Sequence, residues 1–257
     1  MSKPTIFVVL TTQRCGSSWL VDLLNDHPAV SAYAELFRVA DTTVSDYGAT
    51  DVPRFEVTVA PGTYSVSRQL VRQRYEYVRG LARAHPDAQA VGFKLMYDQT
   101  RDHPGLMSIL SLGRTRFVHL VRTDHLGALV SFDVAERRGR WWYHEGDAIP
   151  RVRVRAEPSE LIRRLEEREC EIDRFRRRLA RFPTRVLEIA YEDLLDRRNE
   201  VLRSVLRFLN VVPSDIDLRS SLVRASSEPV SSAIENYGEI GSALAGTRFA
   251  PTAANGS

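Results

Sequence analysis

The stretch Thr11–Leu20, TTQRCGSSWL, constrains the fold more than any other part of the chain. The apolar run Ile6–Leu10 precedes it, and Trp19-Leu20-Val21-Asp22-Leu23-Leu24 follows at helical spacing. A run so short and so rich in branched residues reads as a buried parallel strand, so the chain turns abruptly from strand to helix. The first-turn amides of such a helix have no partner inside it, its dipole adds positive charge, and Gly16 lets backbone approach a ligand closely. Arg14 adds a planar fork of donors, while Ser17 and Ser18 offer hydroxyls and a helix cap. The loop suits an oxyanion, either phosphate or sulfate. It is not G-x-x-x-x-G-K-[ST], so the lysine that reaches nucleotide phosphates and the hydroxyl that ligates magnesium are not spelled out. A metal-dependent NTPase is thereby disfavoured.

Downstream, strands and helices alternate. Asn25-Asp26-His27-Pro28 stops the first helix, and Ala29–Ala34 extends as a second strand with Glu35 at its carboxyl end. In open α/β sheets that edge faces the ligand crevice. Asp41–Thr63, rich in Thr, Asp, Gly and Pro, reads as an irregular excursion of the length used for functional lids. Ser65–Ala84 has the pattern of an amphipathic helix with Leu70, Val71, Val78 and Leu81 inward. Ala90–Met96, AVGFKLM, is another buried strand, and it carries Lys94, which is costly to bury without an anionic partner. A short helix over Asp102–Leu112 and a strand over Thr115–Val121 follow. Arg122 ends that strand, and a helix over Asp124–Arg138, capped by Asp124, places Ser131 nine residues after Arg122. An arginine at a strand end and a serine on the next helix can converge on a second anionic group.

Gly139–Glu157 is irregular, with Trp141-Trp142-Tyr143-His144 beside Arg140, Arg151, Arg153 and Arg155. Such residues wall a ligand site or a subunit contact. Glu160–Phe182 is a long helix with Leu161, Leu165, Ile172, Phe175 and Leu179 along one stripe, and Glu160/Arg164 and Asp173/Arg177 have the favourable i,i+4 order. Arg185–Ala190 is the last clear strand, followed by Tyr191-Glu192-Asp193-Leu194 and a helix over Arg198–Leu209. Gly241–Ser257 reads as a flexible tail. The fold class expected is a three-layer α/β sandwich with a mainly parallel central sheet and a P-loop-like phosphate cradle, one domain over residues 1–240.

Lys3 and Lys94 are the only lysines, so arginine supplies 34 of the 36 basic residues. A pI near 9.0 with net charge of only +3 suits an anionic small ligand more than a nucleic-acid coat. Cys15 and Cys170 form no metal or disulfide pattern, which suits a reducing compartment. No apolar run approaches transmembrane length and no signal peptide is visible, so a cytoplasmic location is expected.

The loop Gln13-Arg14-Cys15-Gly16-Ser17-Ser18-Trp19-Leu20 resembles the 5′-phosphosulfate loop of sulfotransferases that use 3′-phosphoadenosine 5′-phosphosulfate (PAPS), with Cys15 where Ser or Thr is commoner. The resemblance runs from Thr5 to Ile240 and is strongest to the bacterial trehalose 2-sulfotransferase-like branch. It implies PAPS as sulfuryl donor, 3′-phosphoadenosine 5′-phosphate (PAP) as product and no metal. It also implies Glu35 as the base toward an acceptor hydroxyl, and Arg122 with Ser131 as the 3′-phosphate element. Lys94 falls in a stretch similar to the branch's K-L-M-[WY], near sulfonate or acceptor. Arg224 lies in a carboxyl-terminal segment that resembles one folded over the nucleotide. The acceptor implied is a sugar, glycolipid or secondary metabolite; the Asp41–Thr63 excursion would shape its pocket, and homo-oligomerisation stays open. A P-loop-type small-molecule kinase and a non-catalytic nucleotide or polyanion binder are the two alternatives.

Overall fold

The computed structural model describes residues 3–38, 47–49, 51, 55, 68–212, 217–225 and 229–250. In chain order its first elements are β1 (Thr5–Thr11), α1 (Ser17–Asn25), β2 (Val30–Glu35), α2 (Arg68–Ala84), β3 (Ala90–Met96), α3 (Gln99–Asp102), α4 (Leu106–Leu112) and β4 (Arg116–Val121). Then come α5 (His125–Arg138), β5 (Tyr143–His144), α6 (Pro158–Ala180), β6 (Arg185–Ala190) and α7 (Tyr191–Asp196). The last are α8 (Arg198–Phe208), β7 (Leu222–Val223), α9 (Val230–Ala233) and α10 (Tyr237–Leu244). They group into two units, Met1–Val121 with Arg177–Ser220, and Arg122–Arg176 with Ser221–Ser257.

The first unit is built on a five-stranded sheet of order β2-β3-β1-β4-β6. Every neighbouring pair is parallel, and helices lie on both sides. Strands β3 and β4 are buried along their whole length, which is why they read as mainly apolar runs rather than alternating ones. From β1 the chain crosses to β2 on one side, whereas β4 leads to β6 on the other. The carboxyl ends of β1 and β4 therefore flank the point where strand order reverses, the crevice in which such sheets bind ligands. Gly92 on β3 pairs with Phe7 on β1, and a Cβ there would run into the Phe7 carbonyl oxygen and ring.

In the second unit, Asp124 accepts a hydrogen bond from the Gly127 amide at 2.8 Å and so caps α5 as the sequence predicts. Leu126, Val130, Val134, Leu161, Leu165, Ile234, Ile240 and Leu244 form its buried cluster. Strand β5, inside the Gly139–Glu157 stretch that reads as irregular, pairs antiparallel with β7.

Local differences from the sequence reading have simple causes. The helix expected over Asp102–Leu112 splits into α3 and α4 around His103-Pro104-Gly105, since proline disfavours a helical conformation at the residue before it. Arg164 does not pair with Glu160: it forms a two-pronged bond to Asp133 on α5 at 2.6 and 2.9 Å, and Arg163 takes Glu160. The first four residues of the supposed tail, Gly241–Leu244, complete α10, and Leu244 is fully buried. The proposed lid over Asp41–Thr63 falls outside the described residues, except for 47–49, 51 and 55. Because β1 and β3 touch backbone to backbone at Gly92, Gly92→Ala should lower stability by about 1–3 kcal/mol, read as a drop in Tm. An unchanged Tm would contradict that close approach.

Candidate active site

The strand-to-helix loop is pinned at its base from both sides. Thr11 on β1 accepts a hydrogen bond from the Tyr97 amide at 2.9 Å, and its hydroxyl donates to the Leu120 carbonyl of β4 at 2.8 Å. Two residues then take left-handed backbone, Arg14 at φ 60° and Gly16 at φ 77°. For arginine that conformation costs about 1–2 kcal/mol, a strain that folds retain chiefly where function requires it. Gly16 is needed twice over, because a Cβ would also lie 2.5 Å from the Tyr191 ring. It is Gly16, and not Ser17 or Ser18, that occupies the N-cap of α1, with no side-chain cap bond. The serine hydroxyls therefore do not cap the helix, and its first-turn amides are left for an oxyanion. Cys15 is fully buried under the loop.

Glu35 reaches this loop through a register shift. Strand β2 pairs Tyr33 with Phe93 and then Glu35 with Lys94, so Ala34 is an extra residue. Such a bulge re-aims the side chain that follows it. Lys94, 4% exposed, then holds three partners: Glu35 Oε1 at 2.7 Å, the Tyr47 hydroxyl at 2.7 Å and Ser18 Oγ at 3.3 Å. The other Glu35 oxygen, Oε2, accepts from the Gln99 side-chain amide at 2.6 Å. Lys94 thus links the carboxylate to the first turn of α1.

Burial alone would raise the Glu35 carboxyl, but the charge and hydrogen bond of Lys94, with help from Arg38 and Gln99, hold it below its ordinary 4.5. Burial alone would likewise lower the Lys94 ammonium, yet Tyr47 and Glu35 keep it above its ordinary 10.5. Both groups are charged across the neutral range. In the loop, Gln13 donates to Asp98 at 2.9 Å and accepts from the Thr12 hydroxyl at 2.8 Å.

The remaining predicted residues lie in the second unit. Arg122 is 9% exposed and pairs with Asp124 at 2.8 Å, and the open face of Gly127 gives its guanidinium room. Ser131 lies half-buried on α5, and Arg224 is exposed just past β7. Sequence reading missed Tyr47, Asp98 and Gln99. Asp98 had a legible signal, an acid immediately before a helix; Gln99 and Tyr47 had none, because tertiary contacts alone give them their roles.

A strained, glycine-bearing strand-to-helix loop at the switch point of a parallel sheet, tied to a buried Lys–Glu pair, makes this a P-loop-like α/β protein. The chain belongs to the Stf0 sulphotransferase family, whose model matches residues 6–239, and it is a sulfotransferase. It is similar to nodulation protein H of Rhizobium tropici, with 26% identity covering 97% of this chain and 93% of the relative. Nodulation protein H of Rhizobium meliloti (strain 1021) is 24% identical over 92% and 90%. Among solved structures, a sulfotransferase from Alicyclobacillus acidocaldarius is 16% identical, with coverage of 95% and 94% and a TM-score of 0.46. Mouse sulfotransferase SULT7A1 complexed with PAP is 13% identical, with coverage of 84% and 61% and a TM-score of 0.38. The family generally uses PAPS, and its members act on small-molecule acceptors. Among the described residues, no group of His, Cys, Asp or Glu could hold a metal ion, and no helix is long and apolar enough to cross a membrane.

The ion pair has a pH signature. With its folded value depressed, Glu35 contributes stability that is complete above 4.5 and disappears as pH falls through the folded value. With its folded value raised, Lys94 contributes stability that is complete below 10.5 and fades as pH rises through the folded value. Urea midpoints should therefore form a plateau between these limits. Glu35→Ala, which strands a buried ammonium, should lower that plateau by about 3 kcal/mol. A variant as stable as the parent would mean that the pair does not hold the site.

Proposed function

We infer that the protein transfers the sulfuryl group of PAPS to a hydroxyl of a small-molecule acceptor, a sugar, glycolipid or secondary metabolite, with Glu35 as general base. The observation that carries this reading is the single Lys94 ammonium bonded both to Glu35 and to Ser18 in the anion loop. A carboxylate tied in this way to the first turn of α1 supports a base acting next to the loop.

The donor supplies a sulfur atom open to in-line attack, with the 5′-phosphate as leaving group. The chain's own residues then divide the work. Backbone amides after Gly16 and the Arg14 guanidinium bind the phosphosulfate oxygens and stabilise the charge that grows on the leaving side. The left-handed loop suits this group: glycine at position 16 takes the φ of 77° that leads into the first turn of α1 and packs against the Tyr191 ring, where a side chain would collide. Lys94 holds Glu35 ionised, as a base must be before it can take a proton, and its second donor faces Ser18 on the donor side. Proton removal from the acceptor by Glu35 is worth roughly 10²–10⁴-fold. Arg122 and Ser131 would hold the 3′-phosphate, with Arg224 as a further contact; Trp141, packed on Phe132 at 5.2 Å, would wall the acceptor. A kinase reading is weaker because the loop lacks the phosphate-reaching lysine at its motif position.

Glu35→Gln should cut turnover by at least about 100-fold while leaving PAP affinity within a few-fold of the parent. Unchanged turnover would remove Glu35 from the mechanism. In calorimetric titrations, Arg122→Ala should weaken PAP about 10- to 100-fold, the worth of a charged hydrogen bond. Parent protein that binds adenosine 5′-phosphosulfate as tightly as PAPS would refute a 3′-phosphate site, and preference for ATP with magnesium over PAP would favour the kinase.

A further inference from the structure

The segment Asp98-Gln99 touches both halves of the candidate site and belongs to neither of the anion motifs. Gln99 is 5% exposed at the start of α3. Its Oε1 accepts from the Met96 backbone amide at 3.1 Å. That bond fixes which end of the amide is which, since a backbone N–H must meet an oxygen, and so the amide NH₂ points at Glu35 Oε2, 2.6 Å away. With Lys94 on Oε1, each Glu35 oxygen has its own donor and the plane of the carboxylate is set. Asp98 faces the other way. Its Oδ2 accepts from the Gln13 side chain at 2.9 Å, and its Oδ1 accepts from the Gln99 amide at 2.8 Å. Gln13 is the residue just before Arg14, where the loop enters left-handed backbone. Tyr97, one residue earlier, donates its amide to Thr11 at the loop's root.

We propose that Gln99 is a positioning residue that aims the Glu35 carboxylate, and that Asp98 positions the donor loop through Gln13, so that one short segment sets the spacing between base and donor. The inference rests on the reading of Glu35 as base, but its two halves have separate readouts. The charged or titratable groups that face Glu35 are Lys94 on β3, Arg38 just past β2 and Asp98 before α3, with Tyr47 behind Lys94. Gln99 is the neutral donor among them, and its hydrogen bond helps to hold Glu35 down.

The experiment compares Gln99→Met, Gln99→Glu and Asp98→Asn by steady-state kinetics across pH and by PAP titration. Gln99→Met keeps the bulk and loses the donor, so kcat should fall about tenfold or more while PAP affinity stays within twofold. The acid limb of the kcat profile should move to higher pH, because a donor that favours ionised Glu35 is gone. Gln99→Glu should move that limb further in the same direction, since it sets one carboxylate against another. Asp98→Asn should weaken PAP about threefold without an upward shift of the acid limb, because an exposed hydrogen bond is worth little. In a double-mutant cycle, Asp98→Asn and Gln13→Leu should be non-additive. PAP binding also reports that each variant is folded. Gln99 variants with an unmoved acid limb, or with kcat and PAP affinity lost in parallel, would overturn the aiming role. Additive Asp98 and Gln13 effects would overturn the loop role. If Glu35→Gln itself kept full turnover, the base assignment would fall, and the Asp98 arm would still be read by PAP affinity alone.

Discussion

The site depends on the cost of a lysine inside a buried strand. Every side chain from Ala90 to Met96 is buried, and an ammonium in that environment stays charged only if it is neutralised and hydrogen-bonded. Glu35 supplies the charge, and Tyr47 and Ser18 supply the remaining acceptors. To meet Lys94, β2 must gain a residue at Ala34 and place Glu35 opposite it. The requirements of one buried cation thus account for a β-bulge, for the orientation of the candidate base and for the tie between that base and the first turn of α1.

The strand-to-helix loop poses the opposite problem. Backbone amides at a helix start need an acceptor, and here the helix is begun by a glycine, which has no side chain to cap them. Left-handed backbone at Arg14 and the close packing of Gly16 on Tyr191 fix the path of the loop at the expense of local stability. An ordinary βα turn would have used Ser17 as a cap and avoided left-handed arginine altogether.

Much of this was legible in the sequence because the fold is written in runs and stops. Buried parallel strands show as continuous apolar segments, so β1, β3 and β4 are found within a residue or two, and His27-Pro28 and Asp124 mark a helix end and a helix start. Glu35 and Lys94 stood out as charges at or within buried strands, but their pairing did not, since it depends on a bulge that has no sequence signature. Gln99 was invisible for a related reason: a glutamine reads as surface until the Met96 amide and the Glu35 carboxylate are both placed against it. The exchange of Glu160 for Asp133 as partner of Arg164 shows the same limit, because a tertiary two-pronged bond outweighs an i,i+4 pair on an exposed helix.

The choice of lysine at position 94 is itself informative. In a chain that takes 34 of its 36 basic residues as arginine, a residue of the rarer kind occupies the most buried charged position of the site. Glu35, Tyr47 and Ser18 sit on three different segments, and an ammonium can direct three donors to acceptors that do not share a plane. A guanidinium is flat and wider, so it would match the carboxylate with two prongs and lose Ser18 or Tyr47. Lysine therefore joins Ser18, Glu35 and Tyr47 at a point, whereas arginine would serve one of them well. Elsewhere the arginines do what flat forks do best, as in the two-pronged bond of Arg164 to Asp133.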